Sequence, residues 1–330
     1  MKERQIGIDV IKTLAITFVV GGHFFINTEF FNHVSGLQFV TLSVARRLFS
    51  ISVPLFLLCT GYLSLGKQPT KSYYLGGMRV IYSYLLISAV TIVYEVCVNH
   101  VELSVTEWLL KVTDFKAIAY GWYIEMWIGL FLMAPFMNLM WGAMTDKQRK
   151  IWLLTLLMLT AVPAFVNRPG FGLLPDFWQM SYPLLFYFIG GYIRHYQPSY
   201  NRYALSILLL LVCSINPVVN LLVNHVGTMN PGNPFGLIGV VLSTLLFLIC
   251  YRCDLSASWL KKSVVTVSIF SLDMYLISYL FDDFFYRHTG IATNQKPLAA
   301  FALVIPSVLL LSYAFAYAKA KLFKFAKISK

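Results

Sequence analysis

Ten nearly unbroken apolar stretches divide this 330-residue chain, and they restrict its fold more than any other feature. They cover Ile8–Asn27, Leu48–Leu65, Val80–Val98, Trp122–Trp141, Ile151–Val166, Phe177–Ile193, Tyr203–Val223, Phe235–Tyr251, Val264–Phe281 and Leu298–Ala318. A helix rising 1.5 Å per residue needs about twenty apolar residues to cross roughly 30 Å of hydrocarbon. Charged residues make up only 12% of the chain, against roughly 25% in soluble proteins, which must cover their surface with polar groups. The expectation is an all-α, polytopic membrane protein with ten spans. The first stretch lacks the short apolar region and small-residue cleavage site of a signal peptide, so it reads as a permanent helix. The longest loops, residues 99–121 and 282–297, are too short for a second fold. One integral-membrane domain over residues 1–330 is expected, with no appended soluble domain.

The net charge is +12, and a basic balance often points to nucleic acid. Placement decides otherwise. With both termini cytoplasmic, the inner segments hold 18 Lys and Arg and the outer loops 7, while Lys12 falls inside a helix. That asymmetry follows the positive-inside rule. Acids sharpen it, because Glu29, Glu102, Glu107, Asp114, Asp176, Asp282 and Asp283 all fall in outer loops in this reading. The inner face then carries the excess, and no nucleic acid is needed to explain it. Five cysteines mostly sit in apolar runs; Cys250 and Cys253 have C-x-x-C spacing without a second ligand pair, so no metal site is expected.

Ionisable groups inside spans are costly and therefore functional candidates. The first span carries Asp9, Lys12 and His23. Lys12 and His23 stand eleven residues apart, close to three helical turns, so they share a face about 16 Å apart along the axis. Asp9 can pair with Lys12 one turn on; Lys12 can equally snorkel to the surface with Asp9 neutralising it. His23 follows Gly21-Gly22, whose missing side chains permit close approach of a helix or ligand. Glu95, Glu125 and Asp273 also fall within spans, and Asp273, near mid-membrane, implies an internal partner or a water-filled cavity.

Asp9-x-x-Lys12 followed by His23 resembles the first helix of the integral-membrane acyltransferase-3 family, which opens with Asp-x-x-Arg/Lys and a histidine at this spacing. Ser52-Val53-Pro54-Leu55-Phe56 with Gly61-Tyr62-Leu63 resembles its second helix, and Gly121-Trp122-Tyr123-Ile124 with Ala134-Pro135 its fourth. Phe188-Ile189-Gly190-Gly191-Tyr192 and Ser271-Leu272-Asp273-Met274-Tyr275-Leu276 resemble later segments. The resemblance spans most of the chain, in order. Three departures stand out. Ser50 replaces the arginine usual four residues before Pro54, with Arg47 one turn earlier on a similar face. Gly76 replaces the first arginine of an Arg-x-x-Arg pair of which only Arg79 remains, with Lys71 a substitute charge. Ser278 stands where the family has a second histidine.

The resemblance implies acyl transfer, most simply of acetyl, from a cytoplasmic acyl-coenzyme A to a hydroxyl of a cell-surface polysaccharide or lipid-linked glycan precursor. Such a protein sits in a bacterial-type cell membrane, uses acyl-coenzyme A as donor substrate with no permanently bound cofactor or metal, and has no nucleic-acid partner. An anionic donor needs cations at the cytoplasmic mouth, and Lys12, Lys71 and Arg79 are predicted there; ordinary positive-inside charge also accounts for them. His23 suits the base that takes the acceptor proton, with Glu125 or Glu95 from a neighbouring helix to orient it. Trp122, Tyr123 and Trp127 offer sugar-binding faces, although interfacial aromatic belts explain the first two equally. Arg46 and Arg47 can contact phosphate of a lipid headgroup or acceptor, while Asp9, Asp273 and Tyr275 support the site. The competing readings are a transporter or flippase of an anionic or glycan substrate, and a non-catalytic membrane subunit of the same fold. The paired, interrupted halves common in transporters are absent from the sequence.

Overall fold

A computed structural model describes residues 4–167, 171–222, 233–293 and 296–328. Lys2, Glu3, Arg168, Val223 and Lys330, used above in the charge and span assignments, lie outside these residues. The chain is built from helices α1 (Ile6–Asn27), α2 (Gly36–Ser50), α3 (Ser52–Ser64), α4 (Lys71–Cys97), α5 (Val105–Thr113), α6 (Trp122–Ala143) and α7 (Asp146–Thr160). The short α8 (Pro163–Val166) follows, then α9 (Tyr182–Tyr196), α10 (Arg202–Leu222), α11 (Leu237–Cys250), α12 (Ser258–His288) and α13 (Pro297–Ile328). The protein is all-α and polytopic.

Among the described residues, eight helical runs are long and apolar enough to cross a bilayer, against the ten expected. The sixth and eighth expected spans correspond to α9 and α11, of 15 and 14 residues. At 1.5 Å per residue each covers only about 22 Å. Pro183 near the start of α9 and the left-handed Gln197 at its end, with φ 48°, set its limits. The second span is longer than expected: α2 and α3 form one run from Gly36 to Ser64, broken at Ile51. Pro54 accounts for the break, since its ring excludes a helical bond to the Ser50 carbonyl four residues back.

The largest revision concerns α12. The ninth span was expected to stop at Phe281, but its helix runs 31 residues to His288. Asp282 and Asp283, assigned to an outer loop, are instead buried helical residues. They remain helical because each carboxylate has partners inside the protein.

Helices α1 and α12 lie side by side and parallel. Ser268 donates to Asp9 Oδ1 at 2.6 Å, and His23 Nδ1 meets Asp282 Oδ2 at 2.9 Å. Both pairs have the same separation of 259 residues in sequence, so the register holds along the whole contact. Parallel packing requires an odd number of crossings between these helices, and five of the long apolar runs lie between them, so α9 and α11 cross together or not at all. On the opposite side α3 packs against α9 through glycines. A Cβ on Gly61 would fall 1.9 Å from the Tyr187 carbonyl oxygen, and one on Gly190 would fall 2.2 Å from that of Leu58. The Gly61-Tyr62-Leu63 and Gly190-Gly191-Tyr192 motifs therefore include a backbone contact that tolerates no side chain at either centre.

Candidate functional site

Two cavities line up along α1, one at each end of the Lys12–His23 face. The one at the His23 end, outer in the orientation expected from the charge distribution, has about 680 Å³ and is bounded by His23, Arg46, Ser50, Trp122, Asp282 and Arg287 among others. Gly22 also lines it, while the neighbouring Gly21 lies against the Phe49 ring, where any Cβ would clash at 2.2 Å. The two glycines thus divide the work: one admits α2, the other leaves space beside His23.

His23 is held on two sides. Its Nδ1 meets Asp282 Oδ2. The Tyr120 ring stacks on the imidazole with centroids 3.8 Å apart, and the Tyr120 hydroxyl donates to the same Asp282 oxygen at 2.7 Å. Asp282 is only 2% exposed, so its charge has little access to water. A carboxylate accepting from Nδ1–H fixes the tautomer and leaves the Nε2 lone pair available. Asp282 Oδ1 and the Tyr286 hydroxyl, one turn apart on α12, are buried without hydrogen-bond partners among the described residues.

Glu125 does not approach this site. It is exposed in the first turn of α6, where a carboxylate favours the positive end of the helix dipole. Glu95 belongs to a neighbouring network: it accepts from Tyr279 and Asn99, and Asn99 also donates to Asp283. Asp283 is ion-paired with Arg287 at 2.8 Å. The carboxylate that sequence reasoning sought for His23 is therefore Asp282, which was assigned to a loop. Its signal was present, because Asp282 follows Tyr275 and Tyr279 at helical spacing and an apolar run resumes at Phe284. Tyr120 lies outside any helix and carried no such signal.

The inner cavity, of about 590 Å³, is bounded by Lys12, Cys59, Lys67, Tyr73, Gly76, Tyr123, Ser271 and Tyr275 among others. Lys12 has no carboxylate partner there; Asp9 instead takes both Arg4 and Ser268, with Arg4 in a bidentate pair at 2.7 and 2.8 Å. The expected Asp9–Lys12 pair is not formed, since the guanidinium fork matches a carboxylate better than an ammonium does. Lys71 and Arg79 are exposed on α4 and do not line the cavity. Lys67 does, reaching over the Tyr73 ring at 5.9 Å. Burial, and after it the like charge of Lys12, lower the pKa of the Lys67 ammonium.

The remaining predicted residues separate cleanly. Arg46 lines the outer cavity and lies 5.9 Å from the Phe30 ring, whereas Arg47 is buried toward the Val212 carbonyl. Trp122 lines the outer cavity and Tyr123 the inner. Asp273 borders neither cavity. Its partner is Lys319, a buried residue of α13 at 2.6 Å that also donates to Ser83, tying α12, α13 and α4 together.

A family model described as an acyltransferase domain matches residues 5–317. The chain belongs to the acyltransferase 3 family. No curated protein and no solved structure gives a match. Membership makes this a membrane protein of an acyl-transferring family, and the three departures from the family pattern gain a location. Ser50 borders the outer cavity beside Arg46, one turn away. Gly76 borders the inner cavity, with open space where its side chain would stand and Lys67 in the same lining. Ser278 is fully buried and turns its hydroxyl to the Tyr275 carbonyl.

Proposed function

We propose that this acyltransferase 3 member moves an acyl group, acetyl in the simplest case, from a cytoplasmic acyl-coenzyme A to a hydroxyl of a cell-surface glycan or lipid-linked glycan precursor. The observation that carries the reading is the pair of buried Asp282 and half-buried His23, which faces a cavity large enough for a sugar. The acceptor O–H gives its proton to His23 Nε2 as its oxygen attacks the thioester carbonyl. An O–C bond forms, the C–S bond breaks, and the departing coenzyme A sulfur takes the proton back from the imidazolium. A positioned base of this kind contributes typically 10²–10⁴-fold. Asp282 stabilises the imidazolium, and Tyr120 keeps ring and carboxylate in line.

Lys12 and Lys67 supply the donor end with two cations unopposed by a carboxylate in the cavity lining, and phosphates are their natural counter-charge. The positive-inside asymmetry places that end at the cytoplasm. Trp122 and Arg46 in the outer lining suit a sugar bearing a phosphate, and the partnerless Asp282 Oδ1 and Tyr286 hydroxyl favour a polar acceptor. The decisive experiment measures thiol release from acetyl-coenzyme A by membrane vesicles carrying the full chain. His23→Ala is expected to lower it at least about a hundredfold at equal folded protein; near-native release overturns the assignment.

A further inference from the structure

Among the described residues the two cavities have one in common, Tyr275. Its place on α12 explains why. Ser271 and Leu272 line the inner cavity, Tyr279 and Asp282 line the outer, and Tyr275 stands between them. Tyr275 precedes Asp282 by seven residues, so their Cα atoms lie about 10 Å apart along the axis. It is only 5% exposed. Its hydroxyl donates to the Tyr120 carbonyl at 2.8 Å. Its ring meets that of Tyr123 edge-on, with centroids 5.4 Å apart, and that of Tyr120 at 6.1 Å.

We infer that Tyr275 is the partition between the donor and acceptor compartments, and that it selects short acyl groups and keeps acceptor-side water from the thioester. The inference rests on the acyl-coenzyme A reading above. A thioester entering beside Lys12 meets this ring, at the junction of the two cavities, on its way toward His23. The ring is held in place: its hydroxyl is anchored on the Tyr120 carbonyl, and it lies against the rings of Tyr123 and Tyr120. A rigid aromatic wall discriminates by volume. One surplus methylene in a close-fitting apolar site costs roughly tenfold or more in specificity. An acetyl group adds little bulk beyond the carbonyl that reacts, whereas a butyryl chain must lie against Tyr275 or displace it. The same wall limits entry of water from the polar outer cavity, where attack on the thioester would give a free carboxylic acid and coenzyme A thiol. The anchor is also shared with catalysis, because Tyr120 both accepts the Tyr275 hydroxyl bond and holds His23 with Asp282. Tyr275 thus acts as a positioning and selecting residue rather than a catalytic one.

The test compares acetyl-, propionyl- and butyryl-coenzyme A in membrane vesicles carrying wild type, Tyr275→Phe, Tyr275→Leu or Tyr275→Ala, with His23→Ala as background. Thiol release and free carboxylic acid are both measured. Wild type is expected to prefer acetyl over butyryl at least about tenfold in kcat/KM. Tyr275→Ala and Tyr275→Leu should lower that preference severalfold and raise the share of donor lost to free acid. Tyr275→Phe keeps the ring, so it should keep the preference while losing roughly fivefold in rate, the worth of one hydrogen bond. A merely structural tyrosine would slow all three donors alike. An unchanged acetyl-to-butyryl ratio in both small variants overturns the partition and leaves the acyltransferase reading standing. Absence of His23-dependent thiol release from every donor overturns both. Should Tyr275→Ala fail to fold, Tyr275→Leu, which retains more apolar volume, decides the ratio.

Discussion

The two ends of the Lys12–His23 face are built on opposite plans. At the His23 end the polar groups are held: the imidazole has a ring on its face and a carboxylate on Nδ1, and that carboxylate is shared with a phenol. At the Lys12 end two ammonium groups border a cavity with no carboxylate in its lining, and one of them hangs from a loop between α3 and α4. The difference suits the two tasks proposed for these ends. Proton transfer demands a fixed base within a few tenths of an ångström, and only a buried, hydrogen-bonded pair supplies that. Gripping a flexible polyanion demands charge without rigid geometry, and lysines on long stems supply that.

The comparison breaks first at Asp282. Asp282→Asn retains shape but removes the charge that supports an imidazolium, and kcat is expected to fall on the order of a hundredfold. Donor KM should stay within about threefold. An equal loss in both parameters would show that the two ends are not separate. The lysines come next. Lys12→Ala and Lys67→Ala should each raise donor KM roughly tenfold or more, as a charge-assisted bond is worth about 1.5–3 kcal/mol, and should weaken its salt dependence, with kcat little changed.

The pH dependence sharpens this point. Lys67 loses its proton at a lower pH than an ordinary lysine because it is buried beside Lys12. Its grip is present below that lowered pKa and fades as the pH rises through it. Lys12→Ala removes the repelling charge, so the alkaline rise in donor KM should move to higher pH; a shift the other way would separate the two lysines. The smallest effect belongs to Glu125. It is exposed on α6 and remote from both ends, so Glu125→Gln should change kcat/KM by no more than about twofold, a surface-sized effect. A larger loss would place a second acid in the reaction.

The sequence made one helix of this site readable and obscured the other. Lys12 and His23 were accessible to reasoning because they interrupt an apolar run at a helical interval. Asp282 was hidden by the same logic, since paired carboxylates look like the end of a span when their partners lie 259 residues away in the chain. Lys67 was present in the inner charge count but lost to Lys71 and Arg79, whose side chains leave α4 on its exposed side. Span number was readable to within α9 and α11, and the limits of α9 are set by Pro183 and Gln197 rather than by composition. Tyr120 and the shared position of Tyr275 come from tertiary packing alone.

The constant offset between α1 and α12 also has a consequence in time. The base is made among the first residues of the chain and its carboxylate only 259 residues later. At roughly 5–20 residues per second of synthesis, His23 waits on the order of half a minute for Asp282. A chain halted before α12 inserts has the two cations Lys12 and Lys67, but neither the α12 wall of their cavity nor the charge that would support an imidazolium at His23. Assembly order thereby withholds acyl transfer from unfinished protein, and the last helices to arrive switch on the first.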